Sequence, residues 1–180
     1  MSDATIDACC LIDLLASGHA EGILRSCGHS WQLPAEAKVE VKYIRRMDAT
    51  RPGQIVQVPV DLSPLLAGGL LNPCKAESQD ESDRFVHYAT LFRSDGEAMC
   101  IALAESRGWT IATDDSKAIR IAKEAGLTVI CCLELVKRWA DVRHPDQATL
   151  IKAIQDIELF AQFRPNTSMP EYQWWVDQLP

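Results

Sequence analysis

Several features that would identify a common protein class are missing from this 180-residue sequence. No apolar run approaches the ~20 residues that a membrane-spanning helix needs. No basic segment precedes an apolar one at the start, so neither a membrane span nor a signal peptide is expected. The glycine-rich phosphate loop, the GxGxxG fingerprint and the GxSxG turn are also lacking, which excludes several common enzyme classes.

Metal-binding motifs built from cysteine and histidine are missing as well. The seven cysteines form no CxxC pair, and neither they nor the four histidines have the spacing of zinc ligands. Four of the cysteines form two adjacent pairs, Cys9-Cys10 and Cys131-Cys132. This usage is typical of small buried thiols in a reducing compartment, so a cytoplasmic location is expected.

The order of apolar and polar segments indicates an α/β domain with a central, mainly parallel sheet, because short apolar strands alternate with amphipathic helices. The length suits one domain. Strands are predicted over 4–10, 31–33, 54–60, 109–113 and 127–132. Helices are predicted over 11–18, 19–27, 35–47, 63–69, 83–92, 95–107, 116–126, 133–142 and 146–163, with an irregular tail over 164–180.

Aspartates lie near the ends of two predicted strands, where parallel sheets place their ligand sites. Asp7 lies within the apolar run "TIDACCLI", where an unpaired charge is costly to bury. It could cap the first helix, although apolar residues intervene before the periodic pattern begins. Asp114 and Asp115 end the run "TIATDD". One of them is expected to cap the next helix, and the second is then surplus.

Two glutamates have an ordinary structural interpretation beside a functional one. Glu40 borders the apolar stripe of the predicted 35–47 helix and could be a solvated acid that pairs with a lysine. Glu97 follows Ser94 at the spacing of a capping box, in which its carboxylate would accept a backbone N–H. Capping does not exclude a functional role, because an acid in the first turn of a helix can also face the strand ends.

A cluster of these carboxylates at one sheet edge would be repulsive unless protons or cations compensated the charge. Mg²⁺ or Mn²⁺ compensates such charge with all-oxygen ligands. Two such ions ~4 Å apart can activate a water and stabilise the leaving oxygen of a phosphodiester. The pattern therefore predicts a divalent metal site, provided that the acids converge.

Four segments of the chain resemble the acidic blocks of PIN-domain nucleases, a family that includes the toxin halves of prokaryotic toxin–antitoxin pairs. The segments are "IDACCLIDLLASG", "LPAEAKVEV", "DGEAMCIALAESRG" and "WTIATDDSKAIRIAKEAGLTVI". The resemblance covers roughly residues 4–132. It implies a three-layer α/β/α fold and metal-dependent hydrolysis of single-stranded RNA. It also implies Mg²⁺ or Mn²⁺ as cofactor, an antitoxin partner and a homo-oligomer.

The resemblance also implies roles for individual residues. The four blocks place the catalytic, metal-binding acids at Asp7, Glu40, Glu97 and Asp115, with Asp114 as an added metal ligand and Thr113 as a supporting hydroxyl. The chain departs from the compact members in its long 48–92 segment and in its tail. A nuclease domain is therefore expected over 1–143, with a C-terminal helix and tail over 144–180 that pack on it.

The net charge of −7 means that RNA binding would require a local positive patch. Two helix faces are candidates: Lys38, Lys42, Arg45 and Arg46, and Lys117, Arg120 and Lys123. Both could equally be ordinary solvated faces. Two other functions stay open at this stage: a PIN-like module that binds RNA or protein without cutting, and a receiver-type domain for a small ligand. The second is disfavoured because "LTVICC" offers no lysine at a strand end.

Overall fold

The chain folds into seven strands and ten α-helices within residues 2–180, the part that the computed structural model describes. The strands are β1 (Ser2–Ile6), β2 (His29–Pro34), β3 (Tyr43–Met47), β4 (Ile55–Pro59), β5 (Leu71–Cys74), β6 (Thr110–Ala112) and β7 (Val129–Ile130). The helices are α1 (Ala8–Ala16), α2 (Ala20–Ser26), α3 (Ala35–Glu40), α4 (Ser63–Ala67), α5 (Gln79–Ala89), α6 (Asp95–Arg107), α7 (Ser116–Glu124), α8 (Cys132–Arg143), α9 (Gln147–Asp156) and α10 (Tyr172–Gln178). A π-helical turn, Ile157–Ala161, extends α9.

A five-stranded parallel sheet forms the centre of the fold, in the order β5-β2-β1-β6-β7. Helices flank it, which gives the three-layer α/β/α architecture that was predicted. The strands are apolar because helices cover them: Ile6, Trp31 and Ile111 are fully buried. The chain winds to one side of β1 through β2 and β5, and to the other side through β6 and β7. This reversal places a topological switch point at the carboxyl ends of β1 and β6, where ligands bind in open α/β sheets.

The predicted 35–47 helix is wrong in its second half. Helix α3 ends at Glu40, and β3 pairs antiparallel with β4 in a separate two-stranded hairpin. Ile44 continues the helical apolar stripe of Ala37 and Val41, and the partner strand β4 that favours the strand conformation comes several residues later. The first strand was also predicted to be too long at its C-terminal end: it ends at Ile6, and α1 begins at Ala8.

One strand of the central sheet was not predicted at all. β5 has four residues, and Pro73 within it cannot donate a backbone hydrogen bond. Proline is tolerated there because β5 lies at the edge of the sheet, paired only with β2. The long 48–92 segment therefore contributes a strand to the central sheet as well as the β4 half of the hairpin.

The C-terminal tail, predicted to be irregular, contains helix α10, and its Trp175 is fully buried. The indole N–H of Trp175 donates to Glu158 Oε1 at 3.0 Å, and its ring packs edge-on against Phe163 with 5.8 Å between centroids. The tail thus belongs to the hydrophobic core. None of the helices within residues 2–180 is both long and apolar enough to cross a bilayer.

Replacing Trp175 with alanine should lower the free energy of unfolding by about 3 to 5 kcal/mol, because it leaves a cavity in the core. Val176→Ala, on the exposed side of the same helix, should change it by no more than about 0.5 kcal/mol. Urea unfolding of the two variants measures the difference. Equal effects would contradict the packing of α10 on the core.

Candidate active site

Asp7 lies at the switch point and caps helix α1. Its Oδ1 accepts a hydrogen bond from the backbone N–H of Cys10 at 2.7 Å, and its Oδ2 accepts one from the Thr113 hydroxyl. The capping role that the sequence disfavoured is therefore correct, because α1 starts directly after Asp7 rather than at Leu11. The carboxylate is almost completely buried.

Thr113 joins the ends of β1 and β6. Its hydroxyl donates to Asp7 and accepts from the backbone N–H of Asp115 at 3.3 Å. Asp115 in turn caps helix α7, with Oδ1 accepting from the N–H of Ala118 at 2.7 Å. Asp115 Oδ2 has no hydrogen-bond partner among residues 2–180. Thr113 thus sets the relative position of Asp7 and Asp115. Its supporting role at a catalytic site stays a prediction.

Glu40 binds the start of helix α6 rather than a lysine. The Ser94 hydroxyl lies 2.7 and 2.8 Å from its two carboxylate oxygens, and the N–H of Gly96 donates to Oε1 at 3.0 Å. A side chain at Gly96 would prevent this approach, since a Cβ there would lie 2.9 Å from both Ala37 Cα and Glu40 Oε1. The pairing of Glu40 with a lysine, one alternative raised by the sequence, is therefore wrong.

Glu97 forms only half of the expected capping box. Its backbone N–H donates to the Ser94 hydroxyl at 3.4 Å, but its carboxylate makes no return bond to the backbone. Within residues 2–180 that carboxylate has no hydrogen-bond donor. Burial and the negative charges of Asp115 and Glu40 raise the pKa of Glu97, while Lys117 opposes the rise. Glu97 is thus a half-buried acid in electrostatic contact with two other candidate residues.

Negative charge accumulates at this edge of the sheet without a salt-bridge partner in residues 2–180. Burial raises the pKa of Asp7 to about 7 against the opposing hydrogen bonds from Thr113 and Cys10, and the charges of Asp114 and Glu97 add to the rise. None of the four predicted catalytic acids forms a salt bridge within the described residues. Such a group needs protons or a cation.

Glu97 is in electrostatic contact with Asp7, Asp115 and Glu40, but the four acids do not form a closed ligand shell. Within residues 2–180, only one set of three or more acid, cysteine or histidine side chains has its ligand atoms all within 4.8 Å of one another: Asp13, Asp114 and Cys132. Asp114, expected as an added metal ligand beside the four acids, therefore lies in a different group. Its Oδ1 caps helix α8 by accepting from the N–H of Cys132 at 2.8 Å.

Asp13 was missed by the sequence analysis. It lies on α1, two turns beyond Asp7, and it is buried. Burial, followed by the charges of Asp114 and Asp7, raises its pKa to about 9. The signal that could have identified it is a charge inside the apolar helical run "LIDLL", on the same face as Cys10 and Leu14.

The cationic residues proposed for RNA contact have different environments. The expected single helix face does not exist, because β3 places Arg45 and Arg46 on opposite faces of a strand. Arg46 turns inward and donates to the carbonyls of Leu15 and Ala16 at the end of α1, at 2.6 and 2.5 Å. It is therefore not available to a substrate.

Some of the other cationic side chains are exposed without a partner in residues 2–180, and others bind neighbouring groups of the protein. Lys38 and Lys42 are exposed close to Glu40 in the chain. Lys117 donates to the carbonyl of Leu91 and lies 5.5 Å from the ring centre of Phe92. Arg120 forms an exposed ion pair with Glu124, four residues later in the same helix, at 2.8 Å. Lys38 and Lys42 therefore make fewer contacts within the described residues than Lys117 and Arg120 do.

The donor set of the four acids fits a hard divalent cation. All of its ligand atoms are carboxylate oxygens, which Mg²⁺ and Mn²⁺ prefer. Asp115 Oδ2 and both oxygens of Glu97 have no hydrogen-bond donor within residues 2–180. These oxygens leave room for coordination, whereas those of Asp7 and Glu40 are oriented by hydrogen bonds from neighbouring residues.

Comparisons of the chain with protein-family models, with curated proteins and with solved structures gave no match. The similarity of the four acidic blocks to PIN-domain nucleases therefore stays a prediction. Support for a function comes from the residues and their geometry.

In the absence of divalent cations, the free energy of unfolding should fall as the pH rises from 5 to 7. The fall should be steeper in the wild type than in Asp7→Asn. The folded state raises the pKa of Asp7 from 3.8 to about 7, so it holds a proton that the unfolded chain has released. That stabilisation is complete below the unfolded pKa and is lost as pH rises through the folded one. The expected difference in slope is at most about 1.4 kcal/mol per pH unit.

Urea unfolding in chelator at a series of pH values measures this difference. Asp146→Asn is the matched control, because Asp146 also caps a helix and accepts from a threonine hydroxyl, but is exposed with a lowered pKa. It should leave the slope between pH 5 and 7 unchanged. Equal slopes in the wild type and Asp7→Asn would show that Asp7 is ionised throughout this range.

Proposed function

We propose that this protein is a metal-dependent endoribonuclease that hydrolyses the phosphodiester bonds of single-stranded RNA. The observation that supports it is the electrostatic contact of Glu97 with Asp7, Asp115 and Glu40, without a salt-bridge partner for any of the four acids in the described residues. The four acids are Asp7, Glu40, Glu97 and Asp115.

Mg²⁺ or Mn²⁺ bound by these four acids would activate a water molecule and stabilise the negative charge that develops on the phosphate. The chain's own contribution is to orient the ligands. Thr113 holds Asp7 in place, and Ser94 and Gly96 hold Glu40. Such positioning of reacting groups is a large part of the catalytic effect in sites of this kind.

Exposed cations that lie near the acids in the sequence would bind the RNA backbone. Lys38 and Lys42 flank Glu40, and Lys117 and Arg120 follow Asp115 in the first turns of α7. Contacts of these side chains to phosphates position a substrate without reading its sequence. This arrangement allows RNA binding despite the negative net charge of the chain.

A second function, RNA or protein binding without cleavage, is favoured by one observation. The ligand atoms of the four acids are not all within 4.8 Å of one another. The roles of toxin, antitoxin partner and homo-oligomer are supported only by the resemblance to PIN-domain nucleases. A cytoplasmic location is proposed because all seven thiols are free.

The purified protein should cleave a labelled single-stranded RNA when Mg²⁺ or Mn²⁺ is present and not in chelator. Asp7→Asn and Asp115→Asn should each lower the cleavage rate at least ~100-fold, since each removes a charged ligand while asparagine still caps the helix. Asp146→Asn makes the same change at the distant cap of α9 and should retain full activity. Gel analysis of the products over time measures the rates.

Two results would decide against catalysis. Equal cleavage by the wild type and Asp115→Asn would point to a contaminating nuclease. Metal-dependent RNA binding without cleavage would favour the binding module instead. Circular dichroism of each variant shows whether it is folded.

Lys42→Ala should weaken RNA binding without changing stability, whereas Arg46→Ala should lower stability and leave the salt dependence of binding unchanged. Lys42 is exposed two residues after Glu40 in the chain, while Arg46 binds the carbonyls at the end of α1. Loss of one phosphate contact should reduce the slope of log affinity against log salt by about 0.7. Fluorescence anisotropy with Asp115→Asn as the non-cleaving background measures the slope. An unchanged slope in Lys42→Ala would remove this lysine from the RNA surface.

A further inference from the structure

Three side chains outside the four acids form a second group of possible metal ligands: Asp13, Asp114 and Cys132. Asp13 belongs to α1, Asp114 to the segment between β6 and α7, and Cys132 is the first residue of α8. One ligand atom from each lies within 4.8 Å of the other two. Three elements that are far apart in the chain therefore meet at one point, each with a side chain that can bind a metal.

One atom of this group lacks a partner. Asp114 Oδ2 is buried and has no hydrogen-bond partner in residues 2–180, although Oδ1 of the same carboxylate accepts from the N–H of Cys132. A buried carboxylate oxygen without a partner is costly. The cost is avoided if a proton or a cation lies between Asp114 and the neighbouring carboxylate of Asp13.

The donor set distinguishes this group from the four acids. Two carboxylates and a thiol are not the all-oxygen set that Mg²⁺ prefers, whereas a thiolate together with carboxylates suits Zn²⁺ and other borderline divalent ions. Cys10 lies one turn before Asp13 on α1 and is fully buried, and burial followed by the charge of Asp114 raises the pKa of its thiol. It is a candidate for a fourth ligand, which would complete a tetrahedral shell.

A cleft lies against two members of the group. Asp13 and Asp114 line a cleft of about 610 Å³ whose walls also include Asp115 and Arg164. An entry path of this kind is one of the requirements for a metal site.

We propose that Asp13, Asp114 and Cys132 form a second metal site, separate from the four catalytic acids, that binds Zn²⁺ or another borderline divalent ion. The ion would join α1, the segment that carries Asp115, and the start of α8. Its binding does not depend on the proposed nuclease activity, because it uses none of the four acids.

Cobalt is the probe for this site, because Co²⁺ replaces Zn²⁺ and a thiolate ligand gives it a charge-transfer absorption band. The full chain is stripped with chelator under reducing conditions and titrated with Co²⁺. The wild type should develop the band with about one equivalent, and Zn²⁺ should abolish it by displacement. Cys132→Ser should lose the band, and Asp13→Asn should weaken Co²⁺ binding more than ~10-fold.

Two matched variants separate this site from its neighbours. Cys9→Ser changes the exposed cysteine beside Cys10 on α1, and Glu97→Gln changes one of the four acids. Both should keep the band. Its retention in Glu97→Gln also separates failure of this proposal from failure of the nuclease proposal.

Several results would overturn the site. The first is a folded wild type without the band, which would mean that Asp13 and Asp114 share a proton instead. The second is an unchanged band in Cys132→Ser, which would assign the thiolate to another cysteine. If Cys132→Ser does not fold, Asp13→Asn and Asp114→Asn provide the comparison, and unchanged Co²⁺ affinity in both would reject the proposal.

Discussion

The hydrogen bond between the Thr113 hydroxyl and Asp7 Oδ2 joins the ends of β1 and β6, the two strands at which the sheet reverses its winding. The backbone continues the same link, since the N–H of Asp7 donates to the carbonyl of Ala112 at 3.1 Å. The hydroxyl of Thr113 also accepts from the N–H of Asp115, so this link positions Asp7 and Asp115 together. Because the strands are short and buried, the first polar residues after them must lie together at one edge, and their charge must be neutralised there.

Helix capping and metal binding are not alternatives in this structure. Asp7 is the N-cap of α1, and Asp115 is the N-cap of α7. Asp114 accepts from the first backbone N–H of α8, and each of the three uses Oδ1 for this bond. The helix N-termini supply partial positive charge, which stabilises the carboxylates without neutralising them. Their Oδ2 atoms differ: that of Asp7 accepts from Thr113, while those of Asp114 and Asp115 have no hydrogen-bond partner in the described chain. The caps therefore orient the acids and leave oxygens free for a ligand.

The sequence predicts best those elements whose boundaries are set locally. Helix α6 was placed correctly because Ser94 caps it and Gly108 ends it with a φ of 67°. The hairpin was partly mistaken for a helix because β3 depends on pairing with β4, and a distant partner is not visible in local periodicity. β5 was missed because proline is unusual in a strand, and only its edge position explains it.

The difference between locally determined features and features that depend on distant residues also applies to the candidate site. Asp7, Glu40, Glu97 and Asp115 could be selected from the sequence because the blocks around them resemble a known family. Asp13 could not be, since only the tertiary structure shows that it lies next to Asp114. The hydrogen bonds to Glu40 from Ser94 and Gly96 likewise join residues more than 50 positions apart, and no local pattern indicates them.

The adjacent pair Asp114-Asp115 shows why sequence proximity is a poor guide to shared function. Asp115 caps α7 and keeps an oxygen available at the edge where Asp7 and Glu97 lie. Asp114 caps α8, and its other oxygen is buried with Asp13 and Cys132. The two carboxylates therefore belong to different groups of side chains, although a single peptide bond joins the two residues. Since that bond is short and stiff, an ion held by Asp114 would also restrict the position of Asp115, so occupancy of the second site is expected to bear on the geometry of the first.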